Sequence, residues 1–500
     1  MNKNIHFCIR LLLATCLAAA LPLLAQAPPQ QEAGKKEAAL VRLNKAPISS
    51  EVVRVHIPKP VKATLNNGVH VLIIEDHRFP VINTELVING AGPLFDPASE
   101  PGLAQMTVQL MRQGTTTRNS KQLAEEIDAL GANIGGNAAA ASPELSLTAS
   151  GLSDNFDQWF QIAADILLHP SFPADELDQL KQRTLVQLRQ QRTNPAFLAQ
   201  ERFAKALYGD SHPAAVLSAT NASVAAMTPD ELAKFYHERF VPQNAVLAIA
   251  GDVKPTEIIA KLNKWLADWK KTDLKVSMPE VPSAQSATRL FLVDRPGSVQ
   301  TNLLLGNLAI DRRDPDYVPL QVMNDILGGS AAARLFMNLR EDKGYTYGAY
   351  SRVSAQQYRG TLIANSEVRS DVTQGAVTEF FNEFQRIVGE TVSADELQKA
   401  KRSMVATFAL SLERPASILN FALTSERYGF ADDYWDKYPD QIMAVTAADV
   451  QRVAKKYLSP GAVQIVAVAD ASKVKPMLEK WGSVTLFAAD GSPAKATVGQ

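Results

Sequence analysis

The chain has 500 residues, 46% hydrophobic and 21% charged, which is enough apolar material for sizeable cores and excludes a chain disordered overall. Length alone points to two or three domains of about 150 residues each. The formal net charge is −1, so no global field draws the protein to nucleic acid or to an anionic membrane, and recognition must come from shape and local groups.

The first element in chain order is a targeting segment. "MNKNIHFCIR" carries Lys3 and Arg10, and "LLLATCLAAALPLLAQA" follows as an apolar run ending in small residues. Residues 1–27 therefore read as a secretory signal peptide, cleaved after Ala25 or Ala27, because the run is too short and wrongly flanked for a spanning helix. This predicts an exported protein, periplasmic in a two-membrane bacterium. A lipoprotein reading through "LATC" is weaker, since Thr15 is a poor residue before Cys16. Both cysteines, Cys8 and Cys16, lie in this segment, so the processed chain offers no disulfide, thiolate metal site or cysteine nucleophile. No other stretch reaches the roughly 18 uninterrupted apolar residues of a spanning helix, and no stable membrane insertion is expected.

Residues 28–57 form a polar tether. After it, "HVLIIED" and "VINTELVIN" read as strands, the second alternating apolar and polar residues. "PGLAQMTVQLMRQGT" (101–115) opens a helix with Leu103, Met106 and Leu110 on one face and Gln105, Gln109 and Arg112 on another. "SKQLAEEIDALG" is a helix opened by Ser120 or Asn119 and closed by Gly131. "ELSLTASG" alternates as a strand, helices cover about 153–168, 173–192 and 229–239, and "NAVLAIAG" is an apolar strand.

The chain then repeats itself. "ADEL" at Ala174 recurs at Ala394, Pro195 at Pro415, and Tyr208-Gly209 at Tyr428-Gly429, all 220 apart; Asp96-Pro97 and Asp314-Pro315 are 218 apart, as are the stretches 227–252 and 445–470. Independent matches within two residues of one offset imply two homologous units of about 220 residues. Each orders runs of strands and runs of helices, which is α+β, with a mainly antiparallel sheet and packed helices. The first domain spans 58–269, a polar, proline-bearing linker 270–287, the second domain 288–485 and a flexible tail 486–500. Equal units on such a join imply a clamshell with a cleft between them, the alternative being a rigid duplication.

Chemistry is sparse. The six histidines outside the signal segment, His56, His70, His77, His169, His212 and His237, include no pair four apart, so no helix presents a paired-histidine metal site. His169 and His212 precede prolines at helix ends and read as capping or packing residues. No nucleophile elbow or phosphate-binding loop is present; "LGGSAAARLF" leads into a helix without a Lys-Ser/Thr end.

On "LNNGVHVLIIED", "PGLAQMTVQLMRQGT", "HPSFPADELDQLKQR", "LYGDSHP", "YHERFVPQNAVLAIAGDV" and "LGGSAAARLFMNLREDKGYTYGAYS", the sequence resembles the insulinase/pitrilysin-like inverzincin metallopeptidases over about 58–485. The compact two-chain branch, which includes the mitochondrial processing peptidase, is the nearest in organisation, and the resemblance implies that this chain forms one half of a clamshell. Active relatives carry His-x-x-Glu-His in the "GLA" helix, with two histidines and a later glutamate on zinc and the intervening glutamate as general base. Aligned on "GLA", Gln105 and Gln109 replace the histidines, Val108 the base, and Gln187 the third ligand. A neutral amide is a poor zinc ligand and valine accepts no proton, so no metal is expected in this chain. Without the resemblance, the glutamines are an ordinary polar helix face.

The same branch uses an arginine and a tyrosine seven residues apart in the second unit, and "LREDKGYTYG" supplies Arg340 and Tyr347. In two-chain relatives this pair acts in trans on the partner's zinc site, a guanidinium fixing a carbonyl and a phenol donating to an oxyanion. Otherwise Arg340 is a surface helix residue and Tyr347 a core aromatic, with Tyr345 and Tyr350 as neighbouring candidates. Asn137-Ala138 matches the family's substrate-binding edge strand; an ordinary glycine-rich turn is the equal alternative. The resemblance thus implies a non-catalytic subunit of an exported heterodimeric zinc endopeptidase. Its partner would be a homologous subunit carrying His-x-x-Glu-His and zinc, and its substrate a peptide. The alternatives are a non-enzymatic peptide-binding or scaffold protein, similar to the respiratory bc1 core proteins, and, last, a metal site of unusual ligands.

Overall fold

The computed structural model describes residues 54–494. The signal segment and the tether up to residue 53 lie outside the described residues. Two six-stranded sheets account for the duplication. The first contains β1 (Val61–Thr64), β2 (His70–Glu75), β3 (Val81–Asn89), β4 (Asn133–Asn137), β5 (Glu144–Leu152) and β6 (Ala245–Gly251), in the order β1-β2-β6-β3-β5-β4. The second contains β7 (Arg289–Asp294), β8 (Gln300–Leu308), β9 (Thr346–Ser354), β10 (Thr361–Arg369), β11 (Gln464–Ala469) and β12 (Val484–Phe487), in the order β12-β7-β11-β8-β10-β9.

Registers repeat as well as order. β3 pairs antiparallel with β5 from Val81↔Leu152 to Asn89↔Glu144, and β8 with β10 from Gln300↔Arg369 to Leu308↔Thr361. β2 runs parallel to β6 and β7 parallel to β11. The repeat breaks at one edge, where β1 joins β2 by an antiparallel hairpin while β12 comes from the chain's far end and lies parallel to β7. The expectation of a flexible tail from residue 486 is therefore corrected: Leu486 and Phe487 belong to β12, Phe487 is buried, and the backbone folds back so that Ala494 N–H donates to Leu486 O. A four-residue strand is too short to show a period.

Alternation explains the layers. In β2, Val71 and Ile73 face the unit's own helices, while Leu72 and Ile74 face the opposite way. Both faces are covered, which is why "VLII" is uninterrupted. The second cover comes from the other unit. The Pro415–Tyr428 helix lays Ile418, Leu419, Ala422 and Leu423 on Leu72, Ile74, Val87 and Ala248 of the first sheet. The Pro195–Tyr208 helix, capped by Asn194, lays Leu198, Phe203 and Leu207 on Phe291, Leu304, Val466 and Val468 of the second. Spacings of three and four set one apolar face on each helix.

The units are thus an interlocked duplication, and the expectation of a cleft hinged between them on a free join is corrected. Residues 270–287 have no regular structure but are pinned: Asn244 Nδ2 donates to Leu274 O (3.2 Å), and Val276 packs where Gly90, at φ 86°, has no side chain. Polar contacts reinforce the join. Tyr358 Oη donates to Ala141 O (2.7 Å), Tyr208 Oη to Arg359 O (2.9 Å), and Arg427 pairs with buried Glu144. No helix among the described residues is long and apolar enough to cross a membrane.

Candidate functional site

The helix carrying the glutamines spans Leu103–Met111. Asp96 fixes its start: its carboxylate accepts from Gly102 N–H (2.8 Å) and Ala104 N–H (3.0 Å), two of the donors a helix leaves free. Gly102 sits at φ 95°, where a Cβ would lie 2.5 Å from that of Ala219, so only glycine fits. Burial pushes Asp96 up to about 7, against the pull of its backbone N–H partners and of Arg239. Leu103, Met106 and Leu110 turn into the core, as their spacing predicts.

Gln105 and Gln109 face a cleft of about 310 Å³, which Gln187, Gln191 and Thr184 of the Ala174–Thr193 helix line from the other side. Gln187 is exposed, and Asn137 and Ala138, at and just beyond the end of β4, also border the cleft. The structure therefore gathers Gln105, Gln109, Gln187, Asn137 and Ala138 in one place. Gln105 Oε1 accepts from Ala138 N–H at 2.8 Å, tying the helix to the chain leaving the edge strand. Val108 lies apart from this cleft: it is buried against β4, where an added Cβ on Gly136 would come within 2.4 Å of Val Cγ2. The position read as the lost base is a core side chain.

These residues do not fit zinc. The one good donor atom of Gln105 is already engaged, Val108 has none, and Gln109 and Gln187 offer neutral amides. Asp96 directs both oxygens to backbone N–H groups. Among the described residues no group of three His, Cys, Asp or Glu side chains could hold a metal ion. His212 caps a turn, its Nδ1 accepting from Ala214 N–H (3.0 Å) and its Nε2–H donating to Glu280 O (2.9 Å); His169 sits at a helix end beside Asp165 (3.0 Å).

Arg340 and Tyr347 are not among the residues of the glutamine cleft. Arg340 lies in a π-helical turn, Met337–Asp342, which packs on β9; its nearest carboxylate is Glu341, 4.0 Å away. Tyr347 is on β9, the edge strand of its sheet, and is 89% exposed. Its neighbours are otherwise occupied: Tyr345 packs on the core with its ring against Gly375, and Tyr350 contacts the Phe336 ring at 5.6 Å. The reading of Tyr347 as a core aromatic is corrected by this exposure.

Two features escaped sequence reasoning. Gln191, one turn beyond Gln187, has its Oε1 shut off from solvent with no donor, a condition that typically costs about 1–3 kcal/mol. Its four-residue spacing from Gln187 was the available signal. The second is Asp96, legible only as a repeat marker.

With this geometry in view, comparison with known proteins places the chain. A family model described as Insulinase (Peptidase family M16) matches residues 70–221, and one described as Peptidase M16 inactive domain matches 226–404. The chain is 25% identical over 419 residues to an uncharacterized zinc protease of Rickettsia bellii, covering 80% of this chain and 96% of that protein. It is 23% identical over 350 residues to the uncharacterized zinc protease YmxG of Bacillus subtilis, covering 70% and 84%. The crystal structure of a peptidase M16 inactive domain from Pseudomonas fluorescens matches with a TM-score of 0.76 at 27% identity, over 82% of this chain and 98% of that one. A protease from Helicobacter pylori shares the fold, with a TM-score of 0.73 at 18% identity, over 82% and 100%. The chain belongs to the insulinase family, peptidase family M16.

Proposed function

We propose that the protein is the non-catalytic subunit of an exported, periplasmic two-chain zinc endopeptidase. It forms one half of a clamshell chamber and contributes Arg340 and Tyr347 to the zinc site of a homologous partner carrying His-x-x-Glu-His. The observation that carries this reading is the state of Tyr347, an aromatic 89% exposed on an edge strand. An aromatic ring left in water contributes no core stability, whereas a phenol held outside its own fold is available to another chain. The glutamine and valine replacements support the other half of the reading, that zinc and the base belong to the partner.

In the complex, the Arg340 guanidinium would fix a substrate carbonyl and the Tyr347 hydroxyl would donate to the oxyanion of the tetrahedral intermediate. Affinity purification of the tagged chain from its host, with mass spectrometry, should recover a stoichiometric His-x-x-Glu-His homologue. Tyr347→Phe and Arg340→Ala should then each lower peptide turnover of the complex by about 10²–10³, the usual loss for one oxyanion donor, without dissociating it. Unchanged turnover would remove these roles. A second reading, a peptide-binding or scaffold protein, is favoured by the Gln105–Ala138 bond, which uses a former ligand position to brace the edge strand; recovery without such a homologue would select it.

A further inference from the structure

A second cavity, of about 270 Å³, lies between the segment leading into β1 and two helices of the other unit, Pro415–Tyr428 and Tyr434–Ala444. It shares no residue with the glutamine cleft.

The sequence explains why space remains there. Ile57 and Lys59 each precede a proline, which biases both toward extended backbone, and Asp436 Oδ1 fixes the segment by accepting from Ile57 N–H (3.1 Å). On the Pro415–Tyr428 helix, Ile418, Phe421, Ala422 and Ser425 follow at spacings of three and four and form one stripe along the cavity. Beside Phe421, the small Ala422 and Ser425 leave room. Trp435 closes the other side, its ring centroid 4.5 Å from that of Phe421. The walls are therefore apolar and largely aromatic.

The polar groups select the occupant. Trp435 Nε1–H is spent on Phe421 O (3.0 Å) and Ser425 Oγ (2.9 Å), so that side chain offers a ring and no donor. Ser425 Oγ accepts this bond and gives its own proton to no described residue. At the rim, Lys62 pairs with Asp432 (2.8 Å). Asp436 has Ile57 N–H on one oxygen and His56 3.9 Å from the other. Lys59, which also borders the cavity, forms no ion pair with any described residue. What remains uncommitted is one ammonium and one hydroxyl proton, both donors, beside aromatic walls.

We infer that this cavity binds a small aromatic carboxylate, its ring against Phe421 and Trp435 and its carboxylate on Lys59 and the Ser425 hydroxyl. Burial of the ring supplies most of the affinity, and the charge-assisted bonds to Lys59 and Ser425 supply the selection. A cationic ligand of the same shape would meet Lys59 with like charge, and a neutral one would leave it unpaired. The occupant would bridge the segment before β1 and the two helices, elements already joined by the bond from Ile57 to Asp436 across 379 residues. The site uses neither Arg340 nor Tyr347 and does not depend on the two-chain reading.

The test is a binding titration of the purified chain with 4-nitrobenzoate, 4-nitrobenzamide and 4-nitrobenzylamine, which present one ring with a negative, a neutral and a positive head. Equilibrium dialysis reads affinity, and tryptophan fluorescence reads location, because a nitroaromatic ring quenches an indole that it touches. The carboxylate should bind saturably, the amide about three- to tenfold more weakly, and the amine more weakly still. Lys59→Ala should bring the carboxylate down to the level of the amide while leaving the amide unchanged, and Ser425→Ala should weaken the carboxylate several-fold. Trp435→Phe should abolish the saturable quenching. Lys59 is exposed, so its variant keeps the test valid if Trp435→Phe perturbs folding. No saturable binding, equal binding of the three probes, a preference for the amine, quenching that survives Trp435→Phe, or a preference for the carboxylate that survives Lys59→Ala would each overturn the inference.

Discussion

Asp96 is a carboxyl group whose surroundings oppose its charge. Its ordinary value of 3.8 is raised to about 7 by burial at the start of the Leu103–Met111 helix. Between those values the folded protein holds a proton that the unfolded chain has released. Stability from this group therefore falls as pH rises from about 4 to 7 and returns on acidification. Asp96→Asn should remove that component: calorimetry should show the wild type gaining more in Tm than the variant between pH 7 and pH 5. Equal gains would mean that Asp96 is not the group responsible. At this scale a family interval singled out Gln105, Val108, Gln109, Arg340 and Tyr347, of which the structure brings Gln105 and Gln109 to one cleft and buries Val108 in the core. The surroundings of Gln191 and Asp96 were not readable, because the environment of one amide or one carboxyl is set by residues distant along the chain.

At the scale of elements, alternation and capping carried most of the information. The strands "HVLIIED", "VINTELVIN" and "NAVLAIAG" contain β2, β3 and β6, and "ELSLTASG" is β5 short of its last residue, Leu152. Of the two starts considered for the second helix, Asn119 is the cap, in a capping box with Gln122. The repeat markers had a structural meaning that their spacing alone did not reveal. Pro195 with Tyr208-Gly209, and Pro415 with Tyr428-Gly429, are the first turn and the stop of the two helices exchanged between units. Where such a helix packs is invisible to local periodicity, since its partner strands lie in the other repeat. Phe203 is nearly fully buried at that junction. Phe203→Ala should cost about 3–5 kcal/mol, the usual range for a buried phenylalanine, read as a lowered urea midpoint. A loss below about 1 kcal/mol would show that the exchanged helix contributes little.

For the whole molecule, duplication was legible but interlocking was not: a polar segment with two prolines reads as a joint whether or not neighbouring side chains pin it. Its fixing by Val276, Leu274 and Glu280 depends on contacts with Gly90, Asn244 and His212. Each unit lacks a cover for one sheet face and finds it in the other, so neither is expected to stand alone. Expressed separately, residues 54–287 and 288–494 should aggregate, and co-expression should return both to a soluble one-to-one complex, measurable by size-exclusion chromatography. Two independently soluble, monomeric halves would contradict the reciprocal packing.

That exchange also orders events in time. A chain made from its N-terminus completes the first sheet when β6 has appeared, yet Leu72, Ile74 and Ala248 stay bare until Ile418, Leu419 and Leu423 have been added. For that interval the nascent protein carries an uncovered apolar face of the kind that misassembles. The same delay keeps the chain from reaching its final compactness until its last fifth is being made, so that any folding during synthesis is finished from the far end of the chain.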